Sequence, residues 1–225
     1  MAGGPERGAR SPIARIAEGA AALGVPLANA ACERLLAFLE LIARWNRVHN
    51  LTAVAEPSAM VGVHLLDSLA VVPFLRGTRL SDLGSGAGLP GIPIAVARPE
   101  LRVRLVEARA KRARFLRHAV RELGLANVEV FEGRAESLPA AAGEDAVVAR
   151  ALGRLAAIVR LAAPILAPSG LVLAMKGRLP QDEVGELPAG WRLVAVHRLT
   201  VPEVVGERHL LAVAREEPAS DPARA

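Results

Sequence analysis

The residues best suited to chemistry stand together in Leu80-Ser81-Asp82-Leu83-Gly84-Ser85-Gly86-Ala87-Gly88-Leu89-Pro90-Gly91. Glycines admit positive φ and let the backbone approach a ligand with no Cβ in between. Gly86 to Gly91 also satisfies G-x-G-x-x-G, a dinucleotide pattern that is weak on its own. Two details weigh against a dinucleotide. Asp82 closes a predicted strand, where it would repel a pyrophosphate but suits an ammonium group, met directly or through water. Pro90 and Pro93 flank the helix start at which the phosphate turn should form. The next predicted strand ends at Glu107, about twenty residues on, where an acid accepts hydrogen bonds from both ribose hydroxyls. Asp82, the glycines and Glu107 together predict a pocket for a zwitterionic tail plus a ribose, the two ends of S-adenosylmethionine. A plain glycine turn with a surface glutamate is the alternative.

These residues need a sheet edge to present them. Residues 13–23, 28–45 and 57–75 read as helices; Leu35, Leu36, Leu39, Ile42 and Trp45 recur at the spacing of one helix face. Strands are predicted at 79–83, 102–107, 128–132, 145–149, 171–176, 192–199 and 209–215. Helices are predicted near 92–97 and over 109–123 and 152–166, the last stopped by Pro168 and Gly170. Alternation of this kind predicts an α/β fold with an open, mostly parallel sheet. The last two strands, lacking a helix between them, predict an antiparallel finish. The expected division is a disordered 1–10, a helical extension over 11–76, a sheet domain over 77–215 and a disordered tail over 216–225.

The chain has 225 residues, 52% apolar, with a formal charge of +5. That mild excess permits a nucleic-acid partner without demanding one. Cys32 is the only cysteine, which excludes an internal disulfide and predicts a buried residue. No run approaches the roughly 18 apolar residues of a membrane span, and the N-terminal stretch lacks an apolar signal core, so a cytoplasmic protein is expected. Aromatics are 3% and tyrosine is absent, which argues against a base-stacking platform; Trp45 is expected to pack a helix. Arg109, Lys111, Arg112, Arg114, Arg117 and Arg121 load one helix. Lys176 and Arg178 follow the fifth strand at the ligand edge and suit phosphate, and Arg44, Arg47 and His49 extend the basic surface. Arg150 ends the fourth strand, suiting a carboxylate, a phosphate or a guanine O6 edge; a structural ion pair is its alternative. His64 and Asp67 resemble half a metal site. With no third ligand nearby, they are expected to form a hydrogen-bonded pair holding the helical arm, and no metal is expected. A monomer is expected, since no long apolar seam is left over.

Several segments together resemble the family of ribosomal RNA small subunit methyltransferase G, also called glucose-inhibited division protein B. They are Trp45-Asn46-Arg47-Val48-His49-Asn50-Leu51-Thr52, His64-Leu65-Leu66-Asp67-Ser68-Leu69, the Asp82 to Pro93 loop, Lys111 to Leu116, Gly133-Arg134-Ala135-Glu136, Arg150-Ala151 and Lys176-Gly177. The resemblance runs from about residue 35 to 215. It implies a class I S-adenosylmethionine-dependent methyltransferase fold, Rossmann-like, with a seven-stranded sheet and an N-terminal helical extension. It implies methylation at N7 of guanine 527, in the 530 loop of 16S rRNA. By the same resemblance the cofactor meets Gly84, Gly86 and Leu89, with Glu107, Ala108 and Arg109 by the ribose, Ala135 and Glu136 by the adenine, and Arg150 close by. RNA falls to Arg47, Arg112, Lys176 and Arg178. Guanine N7 carries a free lone pair, so no catalytic base is expected. Two other readings stay open: the same cofactor with transfer RNA or a small molecule as acceptor, and a non-catalytic nucleotide- or RNA-binding module.

Overall fold

A computed structural model describes residues 10–54, 56–140 and 143–216. The expected disorder at the two ends falls outside these residues, except for Arg10 and Glu216. Seven strands form one sheet in the order β3-β2-β1-β4-β5-β7-β6. They are β1 (Arg79–Leu83), β2 (Arg102–Glu107), β3 (Val128–Glu132), β4 (Glu144–Arg150), β5 (Leu166–Lys176), β6 (Trp191–Arg198) and β7 (His209–Arg215). The first five are parallel, and β7 runs antiparallel between β5 and β6. After β1 the chain moves outward through β2 and β3, then returns to β4 on the other side. The carboxyl ends of β1 and β4 therefore border the crevice where ligands bind in such sheets.

Helices cover both faces. On one lie α1 (Pro12–Ala22), α2 (Asn29–His49), α5 (Gly91–Ala97) and α6 (Ala110–Glu122); on the other lies α7 (Leu155–Ala162). Ser11 caps α1, its hydroxyl accepting from the Ala14 amide at 3.2 Å, and Pro12 occupies the first turn, where a missing N–H costs nothing. Asn50 ends α2 in the left-handed region at φ 47°. Residues 57–69 are one continuous helical segment: α3 (Pro57–Met60), a π-helical stretch (Val61–Leu66) and α4 (Asp67–Leu69). The Asp67 amide donates to Gly62 O, five residues back. A four-residue helix, α8 (Gln181–Val184), precedes β6.

A continuous core joins the arm to the sheet through Ile16, Phe38, Ile42, Leu66, Leu80 and Phe115. Cys32 is buried in it. Trp45 packs edge-on against Phe115 at 5.4 Å, fixing α2 on α6. The arm also grips the β6–β7 connection. Arg15 donates to both oxygens of Glu203, at 3.0 and 2.6 Å, and to Ser58 O at 2.7 Å. Gly62 permits this approach, since a Cβ there would lie 2.9 Å from Glu203 O.

Residues 163–170 depart from the sequence expectation. The predicted helix over 152–166 ends at Ala162, and β5 begins at Leu166 rather than 171. Leu166 pairs with Glu144, and the register then shifts before Ala146. A bulge of this kind accommodates Pro168, which has no N–H for the ladder.

Candidate active site

The loop after β1 is held tightly from below. The amides of Gly84 and Ser85 both donate to Val106 O, at 2.9 and 3.0 Å, and those of Gly88 and Leu89 donate to Ser85 O. Gly84, Gly86 and Gly88 have φ of 69°, 59° and 84°, the left-handed region in which other residues are strained. At Gly86 a Cβ would stand in the gap between Gly84 O and Arg112 Nη1, 3.7 and 3.8 Å away.

Asp82 lies beneath this loop, fully buried. Its Oδ2 accepts from the Gly91 amide at 3.0 Å. A side chain on Gly91 would press on Leu105 and sit 2.7 Å from that oxygen. Oδ1 has no partner among the described residues. Burial pushes the carboxyl pKa up to about 7, against the pull of the Gly91 N–H and the Arg150 charge. A buried acceptor left bare is uncommon and marks a place for a donor. An ammonium group, met directly or through water, fits it.

Glu107 does something the spacing did not show. Its Oε2 accepts from the Gly86 amide at 2.9 Å, and its Oε1 from the Arg109 amide at 2.8 Å. The acid thus ties the glycine loop to the β2–α6 turn. Each carboxylate oxygen retains a second lone pair, which leaves acceptors for ribose hydroxyls. A cleft of about 350 Å³ opens here, lined by Gly84, Glu107, Ala108, Arg109, Arg112, Ala135 and Glu136. Arg112, expected to contact RNA, lines this cleft. Leu89 is 5% exposed and packs into the core below the loop, so its side chain supports the loop from beneath.

A second cleft, of about 480 Å³, lies alongside and shares Ala151 with the first. Its walls include His64, Asp67, Arg150, Met175, Lys176 and Arg208. Arg150 belongs to this cleft and does not line the one beside Glu107. Nη1 of Arg150 donates to Asp67 Oδ2 at 3.1 Å and to Val63 O at 3.2 Å. Asp67 Oδ1 accepts from Arg208 Nε at 2.8 Å. The expected His64–Asp67 pair does not form: Asp67 takes the two arginines, and His64 Nε2 meets Thr52 Oγ1 at 3.0 Å. Burial, then the Arg150 charge, lowers the His64 pKa and keeps the ring neutral. Asp67 still fastens the arm to the sheet, through different partners. Arg208 had no motif to betray it, standing 141 positions from Asp67.

Lys176 also departs from expectation. Its ammonium donates to Gly153 O and to Glu183 Oε2, both at 2.7 Å, with 13% of the side chain exposed. The charge is committed to bracing β5 against α8, so it is unsuited to a phosphate. Arg178 and Arg47 are exposed, and neither has a side-chain partner among the described residues. Among the described residues no group of three His, Cys, Asp or Glu side chains could hold a metal ion, and no helix is long and apolar enough to cross a membrane.

Over residues 31–211 the chain matches the family described as rRNA small subunit methyltransferase G. The ribosomal RNA small subunit methyltransferase G of Stenotrophomonas maltophilia (strain K279a) is 51% identical over 203 residues, 90% of this chain and 95% of that protein. The protein of the same name from Xanthomonas campestris pv. campestris (strain B100) is 51% identical over 182 residues, 81% of this chain and 86% of that one. Among solved structures, the mitomycin 7-O-methyltransferase MmcR superposes with a TM-score of 0.56 at 18% identity, covering 79% of this chain and 60% of the other. At that identity the likeness speaks for the fold, that of class I methyltransferases.

Proposed function

Because the chain belongs to the rRNA small subunit methyltransferase G family, we propose that it methylates N7 of a guanine in 16S rRNA, guanine 527 of the 530 loop. The protein is an S-adenosylmethionine-dependent rRNA methyltransferase. One observation carries the assignment of the site: the bare Asp82 Oδ1 lies under a glycine loop whose cleft adjoins a second, donor-lined cleft. In this reading Asp82 and the loop backbone around Gly84, Gly86 and Leu89 hold the amino-acid tail. Glu107, Ala108 and Arg109 hold the ribose, Ala135 and Glu136 flank the adenine, and Arg112 closes that wall.

When bound, the cofactor supplies an electrophilic methyl group on a positively charged sulfur. Guanine N7 attacks with a lone pair it already has, so no residue needs to remove a proton. The chain's own contribution is to position the base and exclude water. Residues 11–76 form the arm that supplies one wall of the base's cleft, and residues 77–215 the unit that binds the cofactor. Arg47 and Arg178 take RNA phosphates, and the protein acts as a monomer in the cytoplasm.

Mapping modified bases in 16S rRNA by mass spectrometry, from cells lacking this protein, tests the assignment. The 7-methylguanine of the 530 loop should be lost and should return when the gene is restored. An unchanged pattern removes the RNA assignment.

A further inference from the structure

The second cleft holds an arrangement that the function above does not require by itself. Asp67, 5% exposed, sits between two arginines drawn from distant parts of the chain. Arg150 comes from the end of β4 and Arg208 from the connection into β7. Each arginine is anchored on one side only. Arg150 commits Nη1 to Asp67 and Val63. Arg208 commits Nε to Asp67 and Nη1 to Glu207 O. Nε and Nη2 of Arg150, and Nη2 of Arg208, have no partner among the described residues. The cleft therefore presents hydrogen-bond donors held in place by a buried acid, beside the wall it shares with the cofactor cleft at Ala151.

We propose that Asp67 is a positioning residue for base recognition, holding Arg150 and Arg208 as a donor wall that reads the 6-oxo group of the target purine. The inference rests on the methyltransferase reading and deepens it. Guanine and adenine both offer N7; they differ beside it, where guanine has the O6 acceptor and adenine an amino donor. A wall of guanidinium N–H groups meets O6 and repels the amino group. The Asp67 charge also offsets one of the two positive charges, which matters because N7 methylation leaves the purine cationic.

The test uses the full-length protein and small-subunit particles reconstituted with guanine, inosine or 2-aminopurine at the target position. Inosine keeps O6 and loses the 2-amino group; 2-aminopurine does the reverse; both keep N7. The native protein should methylate inosine nearly as fast as guanine, and 2-aminopurine about 10- to 100-fold more slowly in kcat/KM. Asp67→Asn and Arg208→Met should each lose a similar factor on guanine. They should add little to the loss on 2-aminopurine, where the contact is already gone. Asp67→Glu should recover part of the discrimination. Arg208→Met carries the test if Asp67→Asn fails to fold, as judged by its melting temperature and its affinity for S-adenosylmethionine. Equal losses on guanine and 2-aminopurine in these variants, or indifference of the native protein to O6, would overturn the proposal. No transfer by the native protein to any particle, with cofactor still bound, overturns the underlying reading and this inference with it.

Discussion

Asp82 keeps a carboxyl pKa of about 7 because burial penalises its charge, and two pH effects follow. Between the unfolded pKa near 4 and the folded value, the native state holds a proton that the unfolded chain has released. Stability from this group is therefore present at acid pH and lost as pH rises through that window, levelling off above it. Thermal melts of Asp82→Asn should lack this contribution, so the native protein should lose stability relative to the variant as pH rises. Cofactor binding should run the other way. An ammonium favours the ionised acid, so affinity should rise from about pH 6 to about pH 8 with proton release, and calorimetry in buffers of different ionisation enthalpy reads it directly. Gly91→Ala should crowd Leu105 and Asp82, costing about 1–3 kcal/mol and most of the cofactor affinity. The juxtaposition of Asp82, the glycines and Glu107 was legible in sequence because one contiguous β1–α5–β2 unit carries them. The bonds of Asp67 to Arg150 and Arg208 were not, because they close loops of 83 and 141 residues that no local pattern encodes.

Lys176 shows why an element's neighbours decide what a charge does. Glu183 accepts from its ammonium and also from the Leu155 amide, at 2.6 Å, at the start of α7. One acid on α8 thus caps a helix and neutralises a strand end. Glu183→Ala should leave both donors without this partner and lower stability by about 1–3 kcal/mol in chemical denaturation. Helix α8 has four residues, too short to show a period, so no local pattern signals that Lys176 is engaged by Glu183. Strand existence and order were readable from alternating apolar runs and glycine breaks. The early end of α7 was readable as well, from Pro164, which cannot continue a helix; the start of β5 at Leu166 was not, because Ile165-Leu166-Ala167 is too short an apolar run ahead of Pro168 to declare a strand. Trp45 was readable from its spacing, and Trp45→Ala should loosen α2 from α6. A loss of up to about 3 kcal/mol is expected, the low end for a buried ring, with faster proteolysis of the arm.

For the whole molecule, a formal charge of +5 is the balance of cations committed to acids and a larger set of arginines with no acidic partner among the described residues. Arg104, Arg117, Arg150, Lys176 and Arg208 are all engaged by acids. The dependence of RNA affinity on salt should separate the two groups. Arg47→Ala and Arg178→Ala should each reduce the slope of log affinity against log salt by about 0.7–0.9. Lys176→Met should lower the melting temperature and leave that slope unchanged. The π-helical stretch (Val61–Leu66) has a consequence at this scale too. It packs one residue more into the turn than an α-helix holds, so it sets the angular phase between the arm and everything it meets. Deleting one residue there would rewind the segment and rotate Asp67 about 100° around the helix axis, away from both guanidinium groups. Homologues that have lost that residue should therefore carry their acid one position displaced, a paired change that an alignment can reveal without any experiment.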